Sequence, residues 1–234
     1  MEQITILVPT YNRSRFLPLF LMNLTSQDYP HNLLNVIILD DGEQRFIKDE
    51  DELQKVKEHI SPISLTYVTD KNRKTIGKKR DNLIKMCNTK VFCFMDDDDY
   101  YFPTYISYSY QMLKTNKFGC VGSDKMIFCM TDKDYSVHMI DCGNTKHLIH
   151  EATLMATKKW YRASCGFANN SRGEGANLFH GMERKVGITD ISKLMVCIQH
   201  GGNTVDKMQF ARDDNKLTLE ISQEFKNGLK QILG

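Results

Sequence analysis

The sequence predicts an α/β fold: a mostly parallel sheet flanked by helices, with a smaller mixed extension in its second half. Three observations predict it. Short β-branched runs alternate with helical apolar faces through the first half of the chain, which is the pattern of βαβ units. Those runs are apolar without alternation, as strands covered on both faces are. Each ends in polar, turn-forming residues, and in open parallel sheets ligands bind at that carboxyl edge.

Ile4-Thr5-Ile6-Leu7-Val8 reads as the first buried strand, stopped by Pro9. Arg15 to Ser26 carries Phe16, Leu19, Phe20 and Leu24 on one helical face. Asn35-Val36-Ile37-Ile38-Leu39 is the second strand, halted by Asp40-Asp41-Gly42. Lys48 to His59 is expected to be a solvent-facing helix, Ile63 to Val68 a third strand and Ile76 to Cys87 another helix. Val91-Phe92-Cys93-Phe94-Met95 forms the fourth strand and runs straight into Asp96-Asp97-Asp98-Asp99. The aromatic residues from Tyr100 to Tyr110 fall at helical spacing and read mainly as packing, with Tyr100 and Tyr101 placed to stack on a sugar ring. Further on, Gly119 to Met130 and Ser136 to Asp141 read as strands and Trp160 to Phe179 as loop. Leu194 to Ile198 is a short strand ahead of His200-Gly201-Gly202-Asn203-Thr204, and Leu217 to Leu233 a closing helix.

A hydrophobic fraction of 41% with 26% charged residues suits a globular chain that buries a core. Lys and Arg total 31 against 29 Asp and Glu, a net charge of +2. That balance gives no support to a nucleic-acid binder working by bulk electrostatics, which needs a clear basic excess. The N-terminal residues do not resemble a signal peptide, and no apolar run approaches the ~18 residues of a membrane span, so a soluble cytoplasmic protein is expected. Cys87, Cys93, Cys120, Cys129, Cys142, Cys165 and Cys197 show no CxxC pairing. They read as buried free thiols rather than a disulfide or zinc framework.

Asp96 to Asp99 is the most informative stretch. Four adjacent carboxylates repel one another at the end of a buried strand, and a divalent cation, which takes oxygen ligands, removes the difficulty. If the chain stays extended, Asp96 and Asp98 share one side and Asp97 and Asp99 the other. After the first strand, Tyr11 offers a flat face to a base, and Thr10 and Asn12 offer hydrogen bonds at its edge. A carboxylate of Asp40 or Asp41 could accept the imide N–H of uracil; the plainer reading of that segment is a turn. His200 is a neutral imidazole suited to Mn²⁺, beside two glycines that permit close backbone approach to a diphosphate. Most lysines between Lys71 and Arg80 read as a wet helix face.

Four motifs in order resemble the family 2 glycosyltransferases: Val8-Pro9-Thr10-Tyr11-Asn12-Arg13, Leu39-Asp40-Asp41-Gly42, Gly77-Lys78-Lys79-Arg80-Asp81-Asn82, and Phe94-Met95-Asp96-Asp97-Asp98-Asp99 with Pro103. The resemblance implies a GT-A fold over residues 1–234, with a nucleotide-sugar-binding half at 1–105 and an acceptor-side half at 106–234. It implies an enzyme that moves a sugar from a UDP-sugar to a hydroxyl acceptor on a glycan or protein, using Mn²⁺ or Mg²⁺. Thr10, Tyr11 and Asp40 or Asp41 would meet the uridine, with Pro9 and Arg13 of the same motif beside them. Arg80 would meet the donor, Asp96 and Asp97 the ribose and sugar, and Asp96, Asp98 and His200 the metal. The family's Gly-Glu-Asp motif, which carries the general base of inverting members, corresponds to Gly173-Glu174-Gly175. Glu174 is therefore the expected base, with Glu183 and Asp190 in reserve.

Two other classes compete. A nucleotidyltransferase also joins an α/β sheet to paired aspartates and a metal, but it usually has a Gly-rich basic loop after the first strand, where this chain has Pro9-Thr10-Tyr11-Asn12. A catalytically inactive nucleotide-sugar-binding module is the other, because Gly175 replaces the second acid of the base motif.

Overall fold

The computed structural model describes residues 1–141, 148–203, 208–218 and 221–233. Cys142 and Thr204 lie outside the described residues. Strands β1 (Ile4–Thr10), β2 (Leu34–Asp40), β3 (Ser64–Thr69) and β4 (Val91–Phe94) run parallel in the order β3-β2-β1-β4. All seven residues of β1 are buried, as a central strand covered on both faces requires. Its side chains alternate between two cores: Ile4, Ile6 and Val8 enter one, Leu7 the other. Cys93 and the pair Phe92 and Phe94 divide in the same way on β4. β3, at the edge, is more exposed than its neighbours.

Helices α1 (Leu17–Thr25), α2 (Glu50–Ile60) and α3 (Ile76–Met86) make the crossovers. In α2, the Asp49 side chain accepts from the Glu52 N–H at 2.9 Å, and Glu50, Asp51 and Glu52 occupy the positive first turn. α2 is less solvent-facing than its charge suggests, because Leu53, Val56 and Ile60 are buried. α3 starts on Thr75, whose hydroxyl accepts from the Lys78 N–H at 3.2 Å.

After β5 (Tyr100–Tyr101) and α4 (Tyr105–Thr115), the stretch expected as one strand over 119–130 divides. β6 (Cys120–Gly122) joins the large sheet, and β7 (Lys125–Met130) opens a second sheet with β8 (Ser136–Asp141). Between β6 and β7, Ser123 ties its N–H to the Thr153 hydroxyl at 2.9 Å. β9 (Met155–Thr157) pairs antiparallel with both β4 and β6, α5 (Lys158–Ala163) follows it, and β10 (Val186–Ile188) adds parallel to β6. The large sheet thus has seven strands, β10-β6-β9-β4-β1-β2-β3. β11 (Met195–Gln199) and β12 (Lys216–Leu217) complete the smaller sheet, β12-β8-β7-β11-β5. The closing helix α6 (Gln223–Leu233) begins later than the sequence suggests, since Leu217 pairs in β12 instead. Among the described residues no helix is long and apolar enough to cross a membrane. The described cysteines are all free, buried except for Cys165.

Candidate active site

The carboxyl ends of β1, β2 and β4 lie at one edge of the large sheet. Above that edge opens a cavity of about 790 Å³, lined by residues of both halves of the chain. Pro9, Thr10, Tyr11 and Arg13 reach it from β1, the four aspartates from β4 and Arg80 from α3. The loop around Glu174 and the segment at Gly202 and Asn203 close the other sides.

Tyr11 carries the Arg73 guanidinium over its ring, 4.2 Å from the centroid. Both residues line the cavity, where the aromatic ring and the cation attract one another. The second motif lies behind it and not on the cavity. Asp40 Oδ1 accepts from the Gly42 N–H at 2.8 Å, and Oδ2 accepts from the Phe46 N–H at 2.8 Å and the Tyr67 hydroxyl at 2.5 Å. Asp41 Oδ1 takes Lys79 Nζ at 2.5 Å and Oδ2 the Lys74 N–H at 2.6 Å. Both carboxylates brace loops, because a buried charge is stable only when its acceptor positions are filled. Gly42 is required there by close approach: a side chain would overlap Asn12.

Lys79 is the exception among the lysines expected on a wet helix face, of which Lys71 and Lys78 are exposed. It is only 1% exposed, and its ammonium also donates to Thr10 O at 2.7 Å, tying α3 to the first two motifs. Burial pulls the Lys79 pKa down, and the bonds to Asp41 oppose that pull. Its position was legible as helical period: Lys79 and Arg80 lie one turn before the buried Leu83 and Ile84.

The aspartates do not alternate as an extended strand would, because β4 ends at Phe94 and the chain turns at Asp97 and Asp98. Asp96 faces Arg80, whose Nη2 is 3.3 Å from both carboxylate oxygens. Asp97 is buried, and its Oδ2 has no hydrogen-bond partner among the described residues. Burial and the charge of Asp98 push its carboxyl well above the ordinary range. Asp99 braces the two sheets: its Oδ1 accepts from the Ile198 N–H at 2.9 Å and its carbonyl from Asn23 Nδ2 at 2.8 Å. Tyr101 is a buried post, not a sugar platform. Its hydroxyl accepts from the Asp96 N–H at 2.8 Å and donates to Ala152 O at 3.1 Å. Tyr100 packs on Phe102 and Phe225 instead.

Asp98, on the cavity, meets His200, which lies behind the lining, with Oδ2 3.1 Å from Nε2. Arg13 Nη1 pairs with that same carboxylate oxygen and lies 3.0 Å from His200 Nε2, while Nη2 donates to Gly202 O at 2.7 Å. Arg13 is thus a counter-ion to the aspartates. A carboxylate oxygen and an imidazole nitrogen converging on a positive group make a donor set that suits Mn²⁺ or Mg²⁺. Of the three expected metal ligands the structure brings Asp98 and His200 together, while Asp96 faces Arg80. Among the described residues no three His, Cys, Asp or Glu side chains gather as a ready-made cage.

Arg80 spans the cavity floor. Its guanidinium lies 4.5 Å from the Phe94 ring centroid, and its Nε reaches Glu174 Oε1 at 3.4 Å. The flanking charges of Asp96 and Glu174 hold its pKa above the ordinary value despite complete burial. Glu174 lies on the cavity, as the sequence predicts. Burial pushes its carboxyl up, Arg80 opposes this, and the charge of Glu151 adds to it. Glu151 gives no sequence signal; it enters the site from the turn Glu151–Thr153. Neither reserve acid lines this cavity. Glu183 accepts from the Gly181 N–H at 3.0 Å in an exposed turn, and Asp190 caps the turn at Ser192.

Residues 5–177 match the sequence profile described as glycosyl transferase family 2. A processive diacylglycerol beta-glycosyltransferase of Mycoplasma genitalium is 35% identical over 98 residues, covering 41% of this chain and 27% of that one. Staphylococcus aureus TarS residues 1–349, solved in complex with UDP-GlcNAc, superimposes with a TM-score of 0.60 at 14% identity, over 98% of this chain and 65% of that one. A mannosyltransferase of Pyrobaculum calidifontis, in complex with GDP-Man and Mn²⁺, gives 0.61 at 17% identity, over 84% and 56%. The chain therefore spans only part of each of these proteins, and the structural likeness shows a GT-A fold.

Proposed function

The chain belongs to glycosyl transferase family 2, and from that premise we propose that it moves a sugar from a UDP-sugar to a hydroxyl acceptor with inversion. The observation that supports this best is the convergence, on one cavity, of a stacking platform, an acidic turn and a pair of carboxylates. Each comes from a different part of the chain, so no single local structural need explains all three.

In this reading the nucleobase stacks on Tyr11 beside Arg73, and Thr10 lines the same end of the cavity. Asp40 and Asp41 act from behind by holding the loops, and Lys79 fixes the carbonyl of Thr10. Asp98 and His200 would hold the divalent ion, whose charge offsets that developing on the leaving diphosphate. Arg80 and Asp96 orient the sugar. Glu151 and Glu174, at the other end, serve the acceptor, one of them removing its proton as the oxygen attacks. Attack from that end, in line with the departing diphosphate, inverts the sugar carbon.

The test is direct. Incubation with UDP-glucose, UDP-galactose and UDP-GlcNAc in Mn²⁺ should release UDP. Binding of UDP without turnover of any donor, water included as acceptor, would favour the inactive binding module. Release of pyrophosphate from a nucleoside triphosphate and sugar phosphate would mark a nucleotidyltransferase.

A further inference from the structure

We infer that Glu151 is the group that takes the acceptor's proton and that Glu174 is the residue positioning it. The inference rests on the transferase reading above and divides the roles within its carboxylate pair.

Gly175 directs attention to Glu151. Its backbone is not left-handed, so a side chain is not excluded by conformation. It is excluded by space: a methyl group built on Gly175 would overlap Glu151 Oε1 and crowd Cδ and Cγ. The carboxylate of Glu151 therefore fills the volume in which a side chain at 175 would begin. The Gly175 N–H donates to Oε1 at 3.2 Å, fixing the carboxylate on the loop. Glu151 is half-buried and lines the cavity.

Glu174 is held differently. Arg80 Nε reaches its Oε1 at 3.4 Å, and Arg80 also faces Asp96. The Glu174 carbonyl accepts from the Ala168 N–H at 2.8 Å, and a side chain at Gly77 would overlap the Ala168 carbonyl. The residue is thus built into the contact between its loop and the start of α3. The buried carboxylate, built into the loop contact, suits an anchor, whereas the more exposed one on the cavity wall suits a base. The step balances: the hydroxyl proton passes to a Glu151 oxygen, and the acceptor oxygen bonds to the sugar carbon. The bond from that carbon to the diphosphate oxygen breaks, its electron pair leaving with UDP.

The experiment follows UDP release from UDP-glucose, UDP-galactose and UDP-GlcNAc with water as acceptor, in Mn²⁺, using the full chain. Glu151→Gln should lower the rate about 10²–10⁴-fold, the usual worth of a general base, while the Tm shift produced by UDP stays as in the wild type. Glu174→Gln, which keeps a hydrogen bond to Arg80, should lose about tenfold or less. The decisive variant moves the carboxylate: Gly175→Asp in a Glu151→Ala background should recover at least about tenfold over Glu151→Ala alone, because the vacated volume admits it. A structural role for Glu151 predicts no such rescue. If Glu174→Gln abolishes turnover and Glu151→Gln does not, this assignment is overturned while the transferase reading stands. If the wild-type chain turns over none of the donors, the transferase reading fails and the assignment with it.

Discussion

Asp98 and His200 lie 102 positions apart and meet around the guanidinium of Arg13. Such a meeting brings charges that would otherwise repel or stand unpaired into one compensated group, and it gives single residues separable effects. Asp98→Asn should abolish transfer and remove the dependence of UDP binding on Mn²⁺, measured by calorimetry with and without EDTA. Mn²⁺-dependent binding in that variant would sink the assignment of Asp98 to the metal. Asp97 behaves differently because it is buried and raised. A folded pKa above the unfolded one means that the folded chain holds more protons between the ordinary carboxylate range and the raised value. Stability therefore falls as pH rises through that window. Asp97→Asn removes the charge, so Tm should rise at about pH 7 and differ less from the wild type near about pH 3, below the unfolded carboxylate range, where both states are protonated. A gain of equal size at both pH values would mean that burial of this charge is not the cause.

α3 shows how one element serves both the fold and the site. Its apolar period predicts a helix over 76–87, and the structure has it over Ile76–Met86. Its buried face also carries Lys79 and Arg80, one bonded to the second motif and the other to the fourth. Lys79 and Asp41 form an almost wholly buried pair. Breaking such a pair leaves a lone buried charge and costs about 3–5 kcal/mol, whereas replacing both partners can be nearly neutral. Lys79→Met should therefore lower stability by about that amount in urea titrations, and Lys79→Met with Asp41→Leu should recover much of it. If the double variant is no more stable than the single one, the pair is not what holds α3 against the end of β2. The helix was legible because its period is local. The ammonium's burial was legible only as position on the apolar face, since Lys71 to Lys78 carry charges on every side.

At the scale of the molecule, both halves of the chain line the cavity. UDP should therefore act on the stability of the whole chain. Ligand at about 100 times its Kd stabilises the folded state by about 2.7 kcal/mol, so UDP with Mn²⁺ should raise Tm by several degrees and much less in EDTA. Tyr11→Ala should shrink that shift through lost stacking; an unchanged shift would show that the base does not rest on Tyr11. Product stereochemistry tests the same geometry. An early product that retains the donor's anomeric configuration, seen by proton NMR, would rule out in-line attack from the side of Glu151 and Glu174.

The succession of strands and helices in the first half and the identity of the acidic turn follow from sequence alone, because apolar runs, helical period and turn residues are local properties. The ordered motifs also place Tyr11, Arg80, Asp96 to Asp98 and Glu174 on one cavity. Three things were decided only in the tertiary structure. Asp96 and Asp98 turn to different partners, because the strand ends before them and Arg80 and Arg13 approach from opposite elements. Asp40 and Asp41 withdraw behind the site, because the backbone N–H groups and Lys79 around them need acceptors. Glu151 arrives beside Glu174, because β9 inserts antiparallel between β4 and β6 and carries the preceding turn with it. Each depends on contacts between residues far apart in sequence, where pattern in a single chain carries no record of which charge will find which partner.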